Sequence, residues 1–412
     1  MKLTRLAVAI SLMSAAGLAH ATDGYFSDAY GMKAAGMGGA ATAMTDDAMG
    51  GANNPASMAF VGDRFDVGAT IFSPRRSASR SGGAVNGSSD SNSNYFVIPE
   101  LGYNHMLQPN LALGVTVYGN GGMNTNYPAN LGGGTTNLMG GSGKLGVNLM
   151  QLIVAPTLAF KLNATNSIGI APLLGYQRFE AYGLQQFANA TYSQSPNNLT
   201  NKGWDDSTGI GVRVGYLGRL TPTFSIGVSY ATKMRMTKFN KYSGLFADGG
   251  LFDIPENYSA GVAWKATPDL TLAADYQRIN YGGVSSIGNP STNMAQFGSV
   301  GGPGFGWKNI NVWKFGGEYR YDKQWTFRAG YNHSDNPIQS RDVALNILAP
   351  GVIQDHLTLG ATYTLPSGGE LTMAYMHAFQ NTVTGPDSTP FGGTDTITMY
   401  QNSIGISYGW KM

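Results

Sequence analysis

The chain has 412 residues, of which 12% are charged, with a formal net charge of +2 and no cysteine. Soluble proteins typically carry about 25% charged residues, so this is not the composition of an ordinary secreted globule. The near-neutral balance excludes a broad nucleic-acid footprint, and the lack of Cys excludes disulfides and thiolate metal sites.

The N-terminus carries an address. Lys2 and Arg5 form a basic start, Leu6 to Leu18 is an apolar run, and Ala19-His20-Ala21 is a small-x-small cleavage site. That is the pattern of a secretory signal peptide. The apolar run is shorter than the roughly 20 residues of a spanning helix. Residues 1–21 are therefore set apart, and the mature chain is expected to begin at Thr22.

Residues 22–62 are rich in Gly, Ala and Met and show no sustained alternation. A segment of this kind is either a disordered leader or a plug. Met32, Met37, Met44, Met49, Met58 and Phe60 favour the packed plug, because disordered tails are poor in such residues.

From residue 63 onward the pattern is alternation with period two. Leu270, Leu272, Ala274 and Tyr276 share one face, as do Trp313, Phe315, Tyr319 and Tyr321, and later Ile404, Ile406, Tyr408 and Trp410. The opposite face carries Gly, Ser, Thr and scattered charges. About fourteen strands are predicted, at 64–72, 94–106, 110–120, 147–160, 166–180, 207–220, 223–235, 254–266, 269–281, 309–322, 324–334, 352–366, 369–380 and 397–410. Each is near or above the roughly 9–11 residues that a tilted strand needs to cross a bilayer.

The connections alternate. Tight turns such as Gln108-Pro109-Asn110, Thr221-Pro222, Thr267-Pro268 and Asp322-Lys323 separate long loops around 73–93, 121–146, 181–206, 236–253, 282–308, 335–351 and 381–396. One short rim and one long rim mark an outer-membrane barrel, with the short rim periplasmic. Closure also satisfies the backbone hydrogen bonds that lipid leaves unmet. The expected fold is all-β: a transmembrane antiparallel β-barrel of about 14 strands over residues 63–412, its lumen plugged by an N-terminal hatch at 22–62. The expected location is the outer membrane of a Gram-negative bacterium, in contact with its lipid and lipopolysaccharide. A plugged barrel needs no partner to close, so a monomer is expected.

Three regions stand out as candidate sites. The third strand runs into Gly119-Asn120-Gly121-Gly122, a cluster that permits a bulge or break in the ladder. Leu245, Phe246, Leu251 and Phe252 place large apolar groups in an outer loop, either as a binding patch or as a small core under the loop. The inward face includes the apolar Phe96, Ile98, Ile153, Leu173 and Met376 and the charged Glu100, Arg213, Lys314, Glu318, Arg320 and Arg328. An apolar pocket with few charges suits a hydrophobic ligand, whereas a general porin, the alternative reading, favours a polar, water-filled lumen. Arg213, Lys314 or Arg328 meets a ligand carboxylate or pairs with acids such as Asp46, Asp47, Glu100 and Glu318. The outward aromatics read as an interface girdle.

Enzyme chemistry finds no support. His105, His333, His356 and His377 are dispersed, no nucleophile motif is present, and no metal-ligand spacing or phosphate loop appears. No catalytic residue, metal or cofactor is expected.

Three motifs then point to a family. Gly24-Tyr25-Phe26, the run from Gly31 to Ala40, and Asn54-Pro55-Ala56 resemble the N-terminal hatch of the long-chain fatty-acid transporter family (FadL-type), including its members that take up aromatic hydrocarbons. The match continues through Leu245 to Gly250 and Phe252 to Tyr258, so it spans nearly the whole mature chain. The resemblance implies a fourteen-stranded barrel, a hatch, capture of a hydrophobic molecule on a loop groove, a lumenal pocket, and lateral exit at a kink in the third strand. Long-chain fatty acids and monoaromatic hydrocarbons are the implied ligands, moved by passive diffusion. It assigns no headgroup residue. The chain departs from the usual aromatic terminus by ending Trp410-Lys411-Met412.

Overall fold

The structure, a computed structural model, describes residues 23–129, 131 and 133–412. The expected signal peptide at 1–21 lies outside them. Among the described residues sixteen strands form one sheet, and two short ones, Gly87–Asp90 and Arg235–Met236, pair only at its margins, which leaves fourteen in the wall. These are β1 (Arg64–Ser81), β2 (Phe96–Gln108), β3 (Leu111–Asn124), β4 (Gly146–Lys161), β5 (Asn166–Tyr182), β6 (Asp205–Thr221) and β7 (Phe224–Ala231). They continue with β8 (Asn257–Lys265), β9 (Leu270–Ile279), β10 (Ile310–Arg320), β11 (Trp325–Ser334), β12 (Asp355–Thr364), β13 (Glu370–Pro386) and β14 (Thr394–Lys411).

Every neighbouring pair is antiparallel, and β1 returns to β14 in an unbroken register from Arg64↔Lys411 to Ser81↔Thr394. The sheet is closed, so it presents no free edge to lipid. Its outer face follows the alternation: Ile71, Leu113, Ile170, Leu359 and Ile404 are exposed, each flanked along its strand by inward residues. Aromatic contacts band the wall near the short-turn rim, as in Phe65–Trp410 at 4.8 Å and Trp325–Tyr363 at 4.9 Å between ring centroids. No helix among the described residues is long and apolar enough to cross a membrane.

The strands outrun their predicted limits on the long-loop side. The expected loop at 73–93 is strand as far as Ser81 and again at Gly87–Asp90, and the loop at 381–396 shrinks because β13 reaches Pro386 and β14 begins at Thr394. These extensions carry no apolar period. Pairing with each other sustains them, together with Arg80, which is buried and binds both Asp387 and Asp395. Arg320, expected to face the lumen, keeps the inward parity but sits exposed at the short-turn rim.

Residues 23–62 fold as short turns and helices, Met32–Gly36, Gly50–Asn53 and Met58–Val61, with a 3-10 turn at Pro55–Ser57. They pack against inward faces of the wall where glycines make room. A side chain at Gly215 would strike Asn54, one at Gly227 the backbone at Thr42, and one at Gly330 the backbone at Met37 and Gly38. Near the short-turn rim Lys33 and Arg64 share Glu370 at 2.7 Å each, and Asp66 accepts the Ala48 N–H at 2.9 Å.

Candidate functional site

The long loops gather into a cap with an apolar cavity of about 450 Å³. Met139, Leu184, Phe187, Leu245, Phe297 and Leu345, from five different loops, contribute to its lining. Phe187 stands edge-on to Tyr192, Phe297 and Phe391, at 5.6, 6.1 and 6.1 Å between centroids. Met294, 99% exposed, lies at its rim. Apolar groups of this size at a solvent-facing surface mark a binding region.

The four loop residues singled out in the sequence divide here. Leu245 lines the cavity. Phe246 and Phe252 are buried beneath it, in an aromatic column that joins Phe179–Phe246 at 4.6 Å, Phe246–Phe252 at 4.8 Å and Phe252–Tyr25 at 6.2 Å. Leu251 is half-buried next to them. The column connects the cavity floor to the N-terminal segment, because Tyr25 also meets Tyr281 at 5.1 Å and Trp307 at 5.8 Å.

At the foot of the column the chain makes a tight turn at Asp23–Phe26. The Tyr281 hydroxyl donates to the Asp23 carbonyl and accepts the N–H groups of Tyr25 (3.1 Å) and Phe26 (3.2 Å). Gly24 has φ +71°, and a side chain there would also run into the Tyr281 ring. The turn lies directly against β3. Ser27 N–H donates to Asn120 O at 3.0 Å, and Gly122 N–H donates to Tyr25 O at 3.1 Å. Gly121 has no room for a Cβ, because the Tyr25 carbonyl occupies the place.

This contact replaces strand pairing. The β2–β3 ladder runs from Gln108↔Leu111 to Glu100↔Tyr118, and beyond it residues 96–99 of β2 and 119–124 of β3 share no ladder pair. On its other side β3 continues with β4 through a bulge between Gly119 and Gly121. The extra residue, Asn120, turns inward to Tyr30 (3.1 Å) and Gln151 (3.0 Å). The Gly119–Gly122 cluster thus coincides with an interruption of the wall. A hollow of about 40 Å³ sits there, lined by Ile98, Pro99, Tyr118, Gly119 and Met376 with the 27–32 segment.

The remaining lumenal candidates disperse. Phe96 and Ile98 cluster with Phe72 beside the interruption, while Ile153 and Leu173 join the main core. Arg213 donates to the Ala52 carbonyl and to the Tyr118 hydroxyl. Lys314 donates to Asp28 O at 2.6 Å and lies 3.7 Å from Asp23. Arg328 holds Glu318 at 2.6 Å and donates to Thr362 at 2.7 Å. Each of these cations is engaged by the N-terminal segment or the wall, and none lines the loop cavity.

Asn54-Pro55-Ala56 is clamped between β5 and β6. Asn54 donates to Thr42 O (2.8 Å) and Tyr216 O (2.9 Å) and accepts the Ala56 N–H (3.1 Å), while Ser167 donates to Ala56 O (2.8 Å). Asn54→Ala removes the side-chain donor to the buried Thr42 carbonyl and the further bond to Tyr216 O, which predicts a loss of about 2–4 kcal/mol. The expected readout is a lower temperature for loss of the compact electrophoretic form, and an unchanged midpoint would contradict this anchoring. Sequence reasoning missed Phe187, Phe297, Tyr281 and Trp307. Phe187 and Phe297 carried the same signal as Leu245, a large apolar group in a predicted loop.

A closed wall with a lipid-facing apolar belt, a filled lumen and loops enclosing an apolar cavity defines an outer-membrane β-barrel transport channel. The family described as outer membrane protein transport protein (OMPP1/FadL/TodX) matches residues 7–403. The chain belongs to that family, whose members are transport channels of the Gram-negative outer membrane rather than enzymes. Among solved structures it is similar to the P. putida toluene transporter TodX, at 17% identity over 93% of this chain and 99% of that one, with a TM-score of 0.69. A Pseudomonas aeruginosa FadL homologue is similar at 16% over 94% and 99%, with 0.71, and the Ralstonia pickettii toluene transporter TbuX at 18% over 93% and 99%, with 0.66. At such identities the likeness is one of fold. No curated protein matches the chain.

Proposed function

We propose that this chain is a passive channel for hydrophobic small molecules, long-chain fatty acids or monoaromatic hydrocarbons, captured in the loop cavity and released sideways at the interruption in β3. The observation that carries the reading is that interruption. Pairing between β2 and β3 stops at Glu100↔Tyr118 within a wall that otherwise faces lipid. A polar solute gains nothing from an exit into a bilayer, whereas an apolar one is stabilised there by about 25 cal/mol per Å² removed from water.

In this reading residues 1–21 are a signal peptide, 22–62 a hatch and 63–412 the barrel, and the protein works as a monomer among outer-membrane lipid and lipopolysaccharide. A ligand leaves the loop cavity along the aromatic column, displaces the turn at Tyr25–Phe26, and meets Ile98, Met376 and the Gly119–Gly122 bulge. Similar solved structures named as toluene transporters and as a FadL homologue support an apolar ligand. The packed N-terminal segment argues against the general-porin alternative, because it fills the space a water-filled pore needs.

The loop cavity gives a direct test. Phe187→Ser and Phe297→Ser each remove an aromatic wall of the cavity, and uptake of labelled toluene or oleate at limiting concentration is expected to fall by about 3- to 10-fold. Wild-type uptake in both variants, with normal surface assembly, removes the cavity from the route.

A further inference from the structure

One of the loops around the apolar cavity is held from beneath by a buried charge. The turn at 387–393 joins β13 to β14 and contributes Ser388, Thr389 and Pro390 to the lining. Below it lies Arg80, near the outer end of β1 and 3% exposed. In the turn its guanidinium binds Asp387 and donates to Thr389 at 3.0 Å. It also donates to Asp395, at the start of β14, at 2.8 Å and to the Leu138 carbonyl at 2.7 Å. Met139, the next residue, lines the cavity. The Phe391 ring lies over the same guanidinium, 5.1 Å from its carbon, and stands edge-on to Phe187, a cavity wall.

Within the turn Asp387 accepts the Thr389 N–H at 2.7 Å and its hydroxyl at 2.8 Å, so the guanidinium and the turn share one carboxylate. The opposite side is held far less. Among the described residues, side-chain bonding from the turn to the 291–297 side is one contact, Ser388 hydroxyl to Ser291 hydroxyl at 3.5 Å. That is longer than a good O–H···O bond. Ser291 is itself fixed, because its N–H and hydroxyl donate to the buried Asp342 at 2.8 and 2.9 Å. Gly392-Gly393 ends the turn with two residues that lack a Cβ, which eases a swing at that end. A segment pinned at its base by buried bonds and touching the far side once is built as a strap.

Two carboxylates, Asp387 and Asp395, face this one guanidinium. Its other partners, Leu138, Met139, Thr389 and Phe391, carry no charge. The group lies beyond the lipid belt, where Thr382 meets Thr398 and Thr384 meets Thr396 on the outward face. Burial pushes the Asp395 carboxyl up to about 6, against the pull of Arg80 and with the repulsion of Asp387. When the strap lifts, water reaches that carboxyl and returns it toward its ordinary range, about 3.9. The pinned state therefore holds the proton more tightly. Pinning is strongest in acid and weakens as the pH rises from about 4 through 6.

We propose that Arg80 is the positioning residue of the capture cavity: through Asp387 and Thr389 it sets the 387–393 turn as a strap that completes the cavity wall, and ligand enters when the strap lifts away from Ser291. The proposal rests on the hydrophobe-channel reading and adds the regulation of its capture site. Arg80 acts through the turn and through Met139, and does not line the cavity itself.

The test measures uptake of labelled toluene and labelled oleate against concentration in cells lacking their own hydrophobe transporter, with surface assembly verified. Ser291→Cys together with Ser388→Cys allows a bridge across the strap, and the chain has no other cysteine to mispair. Oxidised, that variant is expected to transport about tenfold more slowly than the same variant reduced, the scale of holding shut a two-state element that must open. Arg80→Met is expected to raise the half-saturating concentration by about tenfold, the scale of lost charge-assisted bonds, while the maximal rate per surface barrel is retained. Arg80→Lys, which keeps the charge, recovers part of that loss. Raising the pH from about 5 to about 7.5 weakens wild-type capture severalfold. Asp395→Asn, neutral throughout and still able to accept from Arg80, removes that dependence.

A cross-linked barrel that transports as fast as its reduced form overturns the proposal. So does Arg80→Met with a wild-type half-saturating concentration, which makes Arg80 a staple of the β1–β14 extension, and so does a wild-type pH response in Asp395→Asn. If Arg80→Met fails to assemble, the cross-link and the Asp395→Asn profile decide. Wild-type uptake that is indifferent to the cross-link defeats this proposal and leaves the channel reading standing. Uptake of neither solute by the wild type defeats both.

Discussion

Joining Pro99 to Gly119 by a disulfide is expected to reduce uptake of hydrophobic solutes to the level of cells without the protein. The last ladder pair between β2 and β3 is Glu100↔Tyr118. Pro99 and Gly119 are the next residue on each side, and both line the hollow at the interruption. A bridge between Pro99→Cys and Gly119→Cys continues the wall by one rung and closes the lower corner of the proposed exit. The chain has no cysteine of its own, so the bond has one possible pairing, and the periplasm is oxidising enough to form it. The expected effect is large because, in the proposed route, every molecule crosses this point. Reduction with dithiothreitol is expected to restore uptake. A barrel shown by mass to be cross-linked and yet transporting at the wild-type rate would place the exit elsewhere.

The second large effect concerns the turn that occupies the inner side of the same interruption. Tyr281→Phe removes one donated and two accepted hydrogen bonds to Asp23, Tyr25 and Phe26. At about 0.5–1.5 kcal/mol each, their loss shifts the balance between the docked and displaced turn by about tenfold or more. The ring stays, so the aromatic packing around Trp307 and Tyr25 is retained. Current fluctuations in planar bilayers are expected to become more frequent, and hydrophobe uptake faster. A variant with lowered thermal stability but unaltered conductance and uptake would show that this turn is structural only.

The wall was legible because its physics is local. Lipid on one side imposes period-two alternation, and the tight turns at Thr221-Pro222, Thr267-Pro268 and Asp322-Lys323 punctuate it. Past the membrane that constraint lapses. Residues 73–81 alternate Ser, Ala and Arg rather than apolar groups, and what holds them in a strand is the pairing partner at 394–402 and the buried Arg80 cluster. The candidate site was legible only in its backbone. Gly119 to Gly122 announced a break in the ladder, but the reason Gly121 must lack a side chain is the Tyr25 carbonyl, nearly a hundred residues earlier in the chain. The loop residues divided for the same reason. Phe246 and Phe252 find Phe179 and Tyr25 beneath them, whereas the cavity is walled by Phe187 and Phe297, which come from separate loops. Periodicity carries no information about such meetings.

The central claim is that hydrophobic molecules cross the outer membrane through this barrel. The most direct measurement is uptake of labelled toluene and labelled oleate by cells that lack their own hydrophobe transporter, with the protein expressed and surface assembly verified. The account predicts uptake of at least one of them above the empty-vector level, together with little steady conductance in planar bilayers. No uptake of either, or a large and steady ion conductance from the same barrel, would contradict it.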